Sequence, residues 1–306
     1  MPNLSCLARP RPLAIPPFQG WPAEVCELPD QSLIVADWRG GPAWRVWPDG
    51  SQPPQQLPPA TANATAVLPV ADGYLVVSHW ENRVERTGSI AWKRTDLKYP
   101  CAAVVVGDTA LVTEQCGGAG QVVRLALGSG ATVGTVGKGI LKIPRGIAVG
   151  PTTGEIVVAD SLTELVHVSW QVCVWLHFFC QPRAFGREEN AVSSFLSSSL
   201  IAPSPSLPLF SHSGQVFDGR SFAQLRTLGA GMLKVPLGVC VDGGERVYVC
   251  DTDSDVKAVV VLDGASGARL ATIAIPGEPR GVTVTRSGAI VVTHNSPNGM
   301  VAIDSA

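Results

Sequence analysis

One short pattern recurs along this chain and limits its fold more than any other feature. Each copy contains a proline or small residue, an apolar triplet, a turn, and a second apolar triplet that ends on a polar side chain. The segment PRGIAVGPTTGEIVVAD, from Pro144 to Asp160, has this layout, and segments that begin at Pro236 and Pro279 repeat it. Two short β-branched runs around a turn are typical of a β-hairpin. The pattern therefore predicts a series of hairpins.

The predicted hairpins recur at a nearly constant interval. They end at Asp37, His79, Glu114, Asp160, Asp251 and His294. Successive ends are 35 to 46 residues apart, except for one interval of 91 residues. Further strand-like runs between the hairpins, such as Gln121 to Leu127, bring each unit to four strands. Strand-rich repeats of about 40–45 residues are typical of a β-propeller. We therefore predict an all-β propeller with four-stranded blades.

The interval of 91 residues contains a segment that does not fit the repeat. Residues 172–215 lack a hairpin of this type, and their second half is rich in Ser, Pro, Leu and Phe. Removing these 44 residues shortens the interval to 47 and aligns Val216 to Leu228 with Val261 to Ile273. We therefore predict one domain, residues 1–306, with six blades and a foreign or disordered insertion at 172–215. Our hypothesis is a translated retained intron, and a natural disordered loop is the alternative.

The N-terminal segment is predicted to complete the last blade. The final unit stops at Val301 to Ala306, before a fourth strand. Arg11 to Pro22 resembles Arg269 to Pro279, which provides the fourth strand of the preceding blade. A strand added from the N-terminus would leave the sheet without an open edge.

Composition narrows the class of protein. The net charge of −2 argues against nucleic acid as a partner. The longest apolar run, Val172 to Cys180, is too short to span a membrane. The first 20 residues lack the apolar core of a secretory signal. We therefore expect a cytoplasmic protein whose eight cysteines are reduced.

The blades that contain Pro144 and Pro236 resemble the NHL repeats of six-bladed propellers. The NHL unit runs through a Pro-x-Gly-Ile-Ala-Val strand, a turn and a Val-Ala-Asp strand. Thr135 to Val149 and Thr227 to Val241 are identical at eight of 15 positions, which indicates an internal duplication. Because the blades are intact and no catalytic constellation is evident, we expect a non-enzymatic scaffold. It would recognise a protein, peptide or small ligand on its polar face.

The candidate binding residues lie where the hairpins begin and end. The first strand starts at the sheet edge where the second strand finishes, so these side chains should form a polar ring on one face. The candidates are Asp37, Trp38, His79, Trp80, Glu114, Arg145, Asp160, Asp251, Arg280 and His294. Two alternatives stay open. The acidic side chains can instead tie down the following turn through backbone N–H groups, and the tryptophans can pack between blades.

A second function is a metal-dependent hydrolase or lyase, lactonase-like or amide-lyase-like, with its site in the axial channel. Related gluconolactonase propellers hold a divalent cation with Glu, Asn and Asp side chains. The matching positions here are Ala23, Ala64, Cys101, Arg145, Leu237 and Arg280. None of them is acidic. We therefore expect no catalytic residue, and no cofactor except a divalent cation under this alternative.

Overall fold

The computed structural model describes residues 10–13, 18, 20–117, 119–161, 212–219, 221–253 and 256–304. These residues form six antiparallel sheets of four strands each. The sheets follow one another along the chain as the blades of a six-bladed β-propeller. The predicted fold class is therefore confirmed.

The strands follow the repeat. The N-terminal strand is β1 (Arg11–Pro12). Blade 1 contains β2 (Trp21–Glu27), β3 (Leu33–Trp38), β4 (Trp44–Val46) and β5 (Gln55–Gln56). Blade 2, which follows a 3-10 turn at Pro59–Thr61, contains β6 (Ala66–Val70), β7 (Gly73–Ser78), β8 (Arg83–Arg86) and β9 (Trp92–Arg94). Blade 3 contains β10 (Ala103–Val106), β11 (Thr109–Glu114), β12 (Gln121–Ala126) and β13 (Thr132–Val136).

The second half of the chain continues the series. Blade 4 contains β14 (Pro144–Val149), β15 (Ile156–Asp160), β16 (His212–Phe217) and β17 (Gln224–Leu233). Blade 5 contains β18 (Pro236–Val241), β19 (Arg246–Asp253), β20 (Val256–Asp263) and β21 (Arg269–Ala274). Blade 6 contains β22 (Glu278–Val284), β23 (Ile290–Asn295), β24 (Gly299–Ile303) and the N-terminal β1.

The N-terminal strand closes the propeller. Arg11 pairs with Ala302 and Pro12 with Val301, and the N–H of Leu13 donates to the carbonyl of Met300 at 3.0 Å. Since β1 provides the fourth strand of blade 6, the prediction from the C-terminal sequence is confirmed. The described elements include no helix with the length and apolarity needed to cross a membrane.

The proline that opens the repeat marks a bulge in the innermost strand. In blades 1, 4, 5 and 6 the register shifts between this proline and the apolar residue three positions later. In blades 4, 5 and 6 the bulge contains a glycine that lies against the next blade. A Cβ on Gly146 would stand 2.5 Å from the carbonyl oxygen of Leu237, and one on Gly238 would stand 2.3 Å from that of Arg280. Neighbouring inner strands therefore approach closely around the axis, and glycine makes this approach feasible.

The hydrophobic core lies between adjacent blades. One cluster joins Leu111 and Val122 of blade 3 to Ile147 and Phe217 of blade 4. Equivalent clusters join the other blades, including blades 1 and 6, where Leu33 packs with Val291 and Met300. The alternating apolar residues of each hairpin provide these contacts, because successive side chains of a strand face opposite sides of its sheet.

The third strand of blade 4 begins inside the segment that the sequence assigned to the insertion. β16 starts at His212, and Ser213 pairs with Asp160. Its first four residues, 212–215, therefore belong to the sheet in this structure. Residues 172–211 lie outside the described residues, so the proposed insertion and its origin stay predictions.

Candidate functional site

The six predicted ring residues lie at one edge of the sheets. Pro22 pairs with Asp37, Pro144 with Asp160, Pro236 with Asp251, and Pro279 with His294. Each hairpin thus brings the start of its inner strand beside the end of the second strand, as predicted. The ring side chains are buried, however, with exposures of 0–6%. Their hydrogen bonds decide which of them are available to a ligand.

The four acidic ring residues accept hydrogen bonds from backbone N–H groups. Asp37, Glu114, Asp160 and Asp251 accept hydrogen bonds from the N–H groups of Gly20, Lys98, Lys142, Ile143, Lys234 and Val235, at 2.7–3.0 Å. These donors precede the inner strand of the same blade, so the carboxylates fix the backbone before that strand. The alternative drawn from the sequence was that they tie down the following turn, whereas these hydrogen bonds hold the preceding one.

His294 is also held by its own blade. Its Nδ1 lies 2.9 Å from the carbonyl oxygen of Pro297. A Cβ on Gly277 or Gly299 would stand 2.5–2.6 Å from its imidazole, so these glycines enclose the side chain. Burial lowers the pKa of His294, which favours the neutral form. His294 therefore supports the loop after β23.

His79 belongs to a polar cluster shared by blades 2, 3 and 4. Its Nδ1 lies 3.1 Å from the Sγ of Cys101. The Nε2 of Gln115 donates to the same sulfur at 2.8 Å, and the Nη1 of Arg145 lies 3.9 Å from it. The thiol itself donates to the carbonyl of Tyr99 at 3.5 Å. We call His79, Cys101, Gln115 and Arg145 the thiol cluster.

The charge state of His79 follows from its surroundings. Burial lowers its pKa to about 3, and the positive charges of Arg145 and Arg39 act in the same direction. Carbonyl groups of Tyr99 and Pro100 oppose this shift without reversing it. The imidazole is therefore neutral at pH 7, with one ring nitrogen able to accept a proton.

Trp38 and Trp80 pack between blades 1 and 2, as the alternative for them predicted. Their rings stack at 6.1 Å with an interplanar angle of 11°. The exposed Arg39 lies 4.2 Å from the centre of the Trp80 ring. His79 meets the Trp80 ring edge-on at 5.2 Å, which joins the tryptophans to the thiol cluster. The indole Nε1 atoms of both tryptophans are buried and have no partner among the described residues.

Arg145 and Arg280 occupy the same repeat position in blades 4 and 6. The Nε of each is buried and unpartnered within the described part of the chain. Arg280 contacts Glu278 at 3.1 Å. Burial lowers the pKa of Arg280, Glu278 raises it, and the positive charge of Arg145 lowers it again. The two arginines therefore repel each other across the same opening. We call Arg145, Arg280, Trp38 and Trp80 the donor cluster.

The axial channel begins next to this cluster. It has a volume of about 220 Å³ and is lined mainly by apolar residues of the six inner strands. Its lining includes Ala102, Ile147 and Val282, each one or two residues beyond Cys101, Arg145 and Arg280. None of the six ring residues is among the residues that line it. Burial raises the pKa of Glu24 in this lining to about 8.

A larger cavity, of about 280 Å³, lies between blades 1 and 6 near the opposite ends of the strands. Two of its carboxylates are already in ion pairs, Asp30 with Arg45 and Asp304 with Arg11. Glu27 accepts a hydrogen bond from the N–H of Arg286. Because these carboxylates already have partners, this cavity offers a ligand fewer unpaired hydrogen-bonding groups than the donor cluster does.

The side chains present do not fit a divalent cation. Such a cation requires several oxygen or imidazole ligands. Across the described residues, no group of three His, Cys, Asp or Glu side chains is arranged to hold a metal ion. The positions that match the lactonase ligands instead carry Cys101, Arg145 and Arg280 beside the channel. Two guanidinium groups disfavour a cation there.

Sequence reasoning missed three members of the site. Arg39, Tyr99 and Gln115 are neighbours of repeat positions, and nothing in the repeat distinguished them. Cys101 was considered only as a non-acidic substitute at a ligand position. The available signal was its place between the ring positions of blades 2 and 3, which brings it to both His79 and Gln115.

Comparison with known proteins identifies the fold. No family model matches the chain, and no curated protein matches its sequence. The fold is similar to a gluconolactonase of Xanthomonas campestris, with 16% identity and a TM-score of 0.65 over 98% of this chain and 91% of that one.

Two further solved structures have the same architecture. A calcium-binding regucalcin of Agrobacterium tumefaciens is 12% identical, with a TM-score of 0.60 and coverage of 97% and 93%. Virginiamycin B lyase of Staphylococcus aureus is 11% identical, with a TM-score of 0.57 and coverage of 97% and 86%. At these identities the similarity establishes the six-bladed fold. The NHL resemblance stays a prediction.

Proposed function

We propose that this propeller binds a small carboxylate-bearing substrate at the donor cluster and acts on it as a hydrolase or lyase. One observation carries the proposal. Buried N–H donors of Arg145, Arg280, Trp38 and Trp80 have no partner among the described residues. Unsatisfied buried donors are costly, about 1–3 kcal/mol each, so a ligand that accepts from them is strongly favoured.

The chemistry of the donors selects an anion. The four unpartnered groups of the donor cluster all donate. The other unpartnered buried atoms among the described residues are outside this cluster: Trp44 Nε1, Arg86 Nε, Arg124 Nε and the acceptor Asn295 Oδ1. A guanidinium group binds a carboxylate through paired N–H···O hydrogen bonds. The nearby carboxylates of Asp37, Glu114 and Asp160 already accept backbone hydrogen bonds, so they compete little for the arginines. A ligand carboxylate would also relieve the repulsion between Arg145 and Arg280.

The size of the site favours a substrate over a protein partner. The donors are buried or half-buried beside a narrow channel, whereas a stable protein interface needs about 800 Å² on each partner. The solved neighbours include a gluconolactonase and a virginiamycin B lyase, both named for reactions of small molecules. They support the hydrolase or lyase reading. The residues here point to chemistry that does not depend on a cation held by carboxylates.

Calorimetric titration tests the proposal. Gluconate and succinate serve as carboxylate probes, and glucose as the neutral control. We expect both carboxylates to bind and glucose not to bind. Arg145→Gln and Arg280→Gln should each weaken carboxylate binding at least tenfold, because each removes a charged donor. Arg94→Gln is the matched control, since Arg94 pairs with Asp96 near the outer edge of blade 2. Failure of both carboxylates to bind would overturn the proposal.

A second candidate is the scaffold reading, in which the carboxylate belongs to a peptide. The exposed Arg39 lies over Trp80 and 5.5 Å from the centre of the Trp38 ring, which provides a platform beside the buried donors. An acidic peptide that binds where free succinate and gluconate do not would favour this candidate. Fluorescence anisotropy of the labelled peptide, with Arg39→Gln as the variant, measures it.

A further inference from the structure

We propose that Cys101 is a nucleophile for acyl transfer, with His79 as its general base and Gln115 and Arg145 as donors to the oxyanion. The substrate class is a small ester or lactone that also carries a carboxylate. The inference rests on the proposed function for the position of that carboxylate. It adds the reacting atoms and the reaction type.

The distances around the sulfur carry the inference. His79 Nδ1 lies 3.1 Å from Cys101 Sγ, within reach for a proton transfer between them. The side-chain amide of Gln115 donates a hydrogen bond from Nε2 to the same sulfur, at 2.8 Å. A thiol, an imidazole and an amide donor therefore meet at one atom. A cysteine that serves only in packing needs none of these three partners.

Arg145 connects the sulfur to the donor cluster. Its Nη1 lies 3.9 Å from Cys101 Sγ, while its Nε remains unpartnered and buried among the described residues. The guanidinium group of Arg145 can therefore donate one N–H to a bound carboxylate and another to the oxygen of a carbonyl group that the sulfur attacks. Its positive charge also favours a thiolate over a thiol. The substrate's carboxylate and its reacting carbonyl would then occupy adjacent places.

His79 is neutral before the reaction, which leaves one ring nitrogen able to accept a proton. Burial and the neighbouring arginines also make the ring a weak base, with a pKa of about 3, so proton transfer from the thiol depends on the charge that forms beside the ring. Once the thiolate forms, its negative charge stabilises the imidazolium and raises the basicity of the ring. Carbonyls of Tyr99 and Pro100 interact with the same ring and help to orient it.

The reaction balances without a further reactant except water. Nδ1 of His79 takes the thiol proton while Sγ forms a bond to the carbonyl carbon, and the carbonyl electrons move to oxygen. Gln115 Nε2 and Arg145 Nη1 donate to that oxygen. The C–O bond then breaks, and the leaving oxygen takes the proton from His79. Water hydrolyses the thioester by the same steps, which releases the acid and restores the thiol.

The test uses mono-4-nitrophenyl succinate, an activated ester with a carboxylate, and 4-nitrophenyl acetate as its uncharged counterpart. We expect the full-length protein to release nitrophenolate from the succinate ester and to form a succinyl adduct on Cys101, located by peptide mass spectrometry. Cys101→Ser and His79→Asn should each lower the initial rate at least tenfold. Cys116→Ala is the matched control, because Cys116 is half-buried and lies outside the thiol cluster.

A second measurement separates this inference from the proposed function and needs no variant to fold. Iodoacetamide alkylates thiolates, and peptide mapping compares the labelling rates of Cys101 and Cys116 in the unaltered protein. We expect Cys101 to react at least tenfold faster, and succinate to protect it. Succinate binding together with slower labelling of Cys101 and no adduct would overturn the nucleophile and leave the proposed function standing. Absence of binding of both succinate and gluconate would overturn the proposed function and this inference together.

Discussion

Residues at the same position of the repeat have different roles in different blades. At the end of the second strand, Asp160 and Asp251 each accept hydrogen bonds from two backbone N–H groups. His79 occupies the equivalent position but contacts a thiol, which leaves it a chemical role. At the start of the inner strand, Arg145 and Arg280 stand where blades 1 and 2 carry Ala23 and Ala64. The site therefore lies where the repeat departs from its structural residues.

Glu24 gives a prediction at the scale of one residue. Burial raises its pKa to about 8, so the folded protein retains a proton that the unfolded chain loses near the ordinary value of 4.5. The free energy of unfolding should therefore fall as the pH rises through the interval between those values. Glu24 is only half-buried, so solvent in the channel screens its carboxyl group. We therefore expect the free energy of unfolding to change by about 2 kcal/mol over this interval.

Glu24→Gln should remove most of this pH dependence and stabilise the protein at pH 9. Urea denaturation at pH 5, 7 and 9 measures it. Glu27→Gln, in the same strand, is the control, and it retains an oxygen for the N–H of Arg286. An unchanged pH profile in Glu24→Gln would show that Glu24 ionises freely in the channel.

At the scale of the element, sequence reasoning worked where the signal is local. The pairing of Pro144 with Asp160 follows from turn position and alternation, and the structure has that pairing. The direction of each polar side chain does not follow from the repeat. The sequence could not show that Asp160 faces the backbone before β14, or that Gln115 meets Cys101, because both depend on how segments fold back across a blade edge.

The bulged inner strand provides the prediction at this scale. Gly238→Ala should destabilise the protein by about 2 kcal/mol, because the new methyl group would meet backbone atoms of Arg280 and Gly281, which cannot move independently. Gly243→Ala, in the same blade, is the control, since a Cβ there has no atom within 4 Å. Urea denaturation compares the two. Equal stabilities would mean that the inner strands are not held at the separation described.

At the scale of the whole molecule, closure depends on strands that are distant in sequence. β1 pairs with β24, and β16 follows a long stretch outside the described residues. The sequence predicts six blades only when residues 172–215 are taken as an insertion into the repeat. The structure has six blades, with β16 beginning at His212.

Deletion of the segment tests its role. We predict that a chain lacking 172–215 unfolds at a temperature equal to or above that of the full chain. The deletion restores the repeat period and lets the residues before it supply the third strand of blade 4. A chain lacking 172–211, which retains all of β16, is the matched comparison. A cooperative transition in the second chain alone would mean that 212–215 belong to the native blade.

The most direct test of the central claim is a nuclear magnetic resonance titration that observes the donors themselves. In ¹H–¹⁵N spectra, the Nε–H signals of Arg145 and Arg280 and the indole signals of Trp38 and Trp80 are assigned by substitution, and succinate is added. We predict that these four signals shift together along one saturating curve while the signal of Arg94 stays in place. Saturating shifts confined to exposed arginines, or no saturation at the four donors, would contradict the assignment of this face as a carboxylate site.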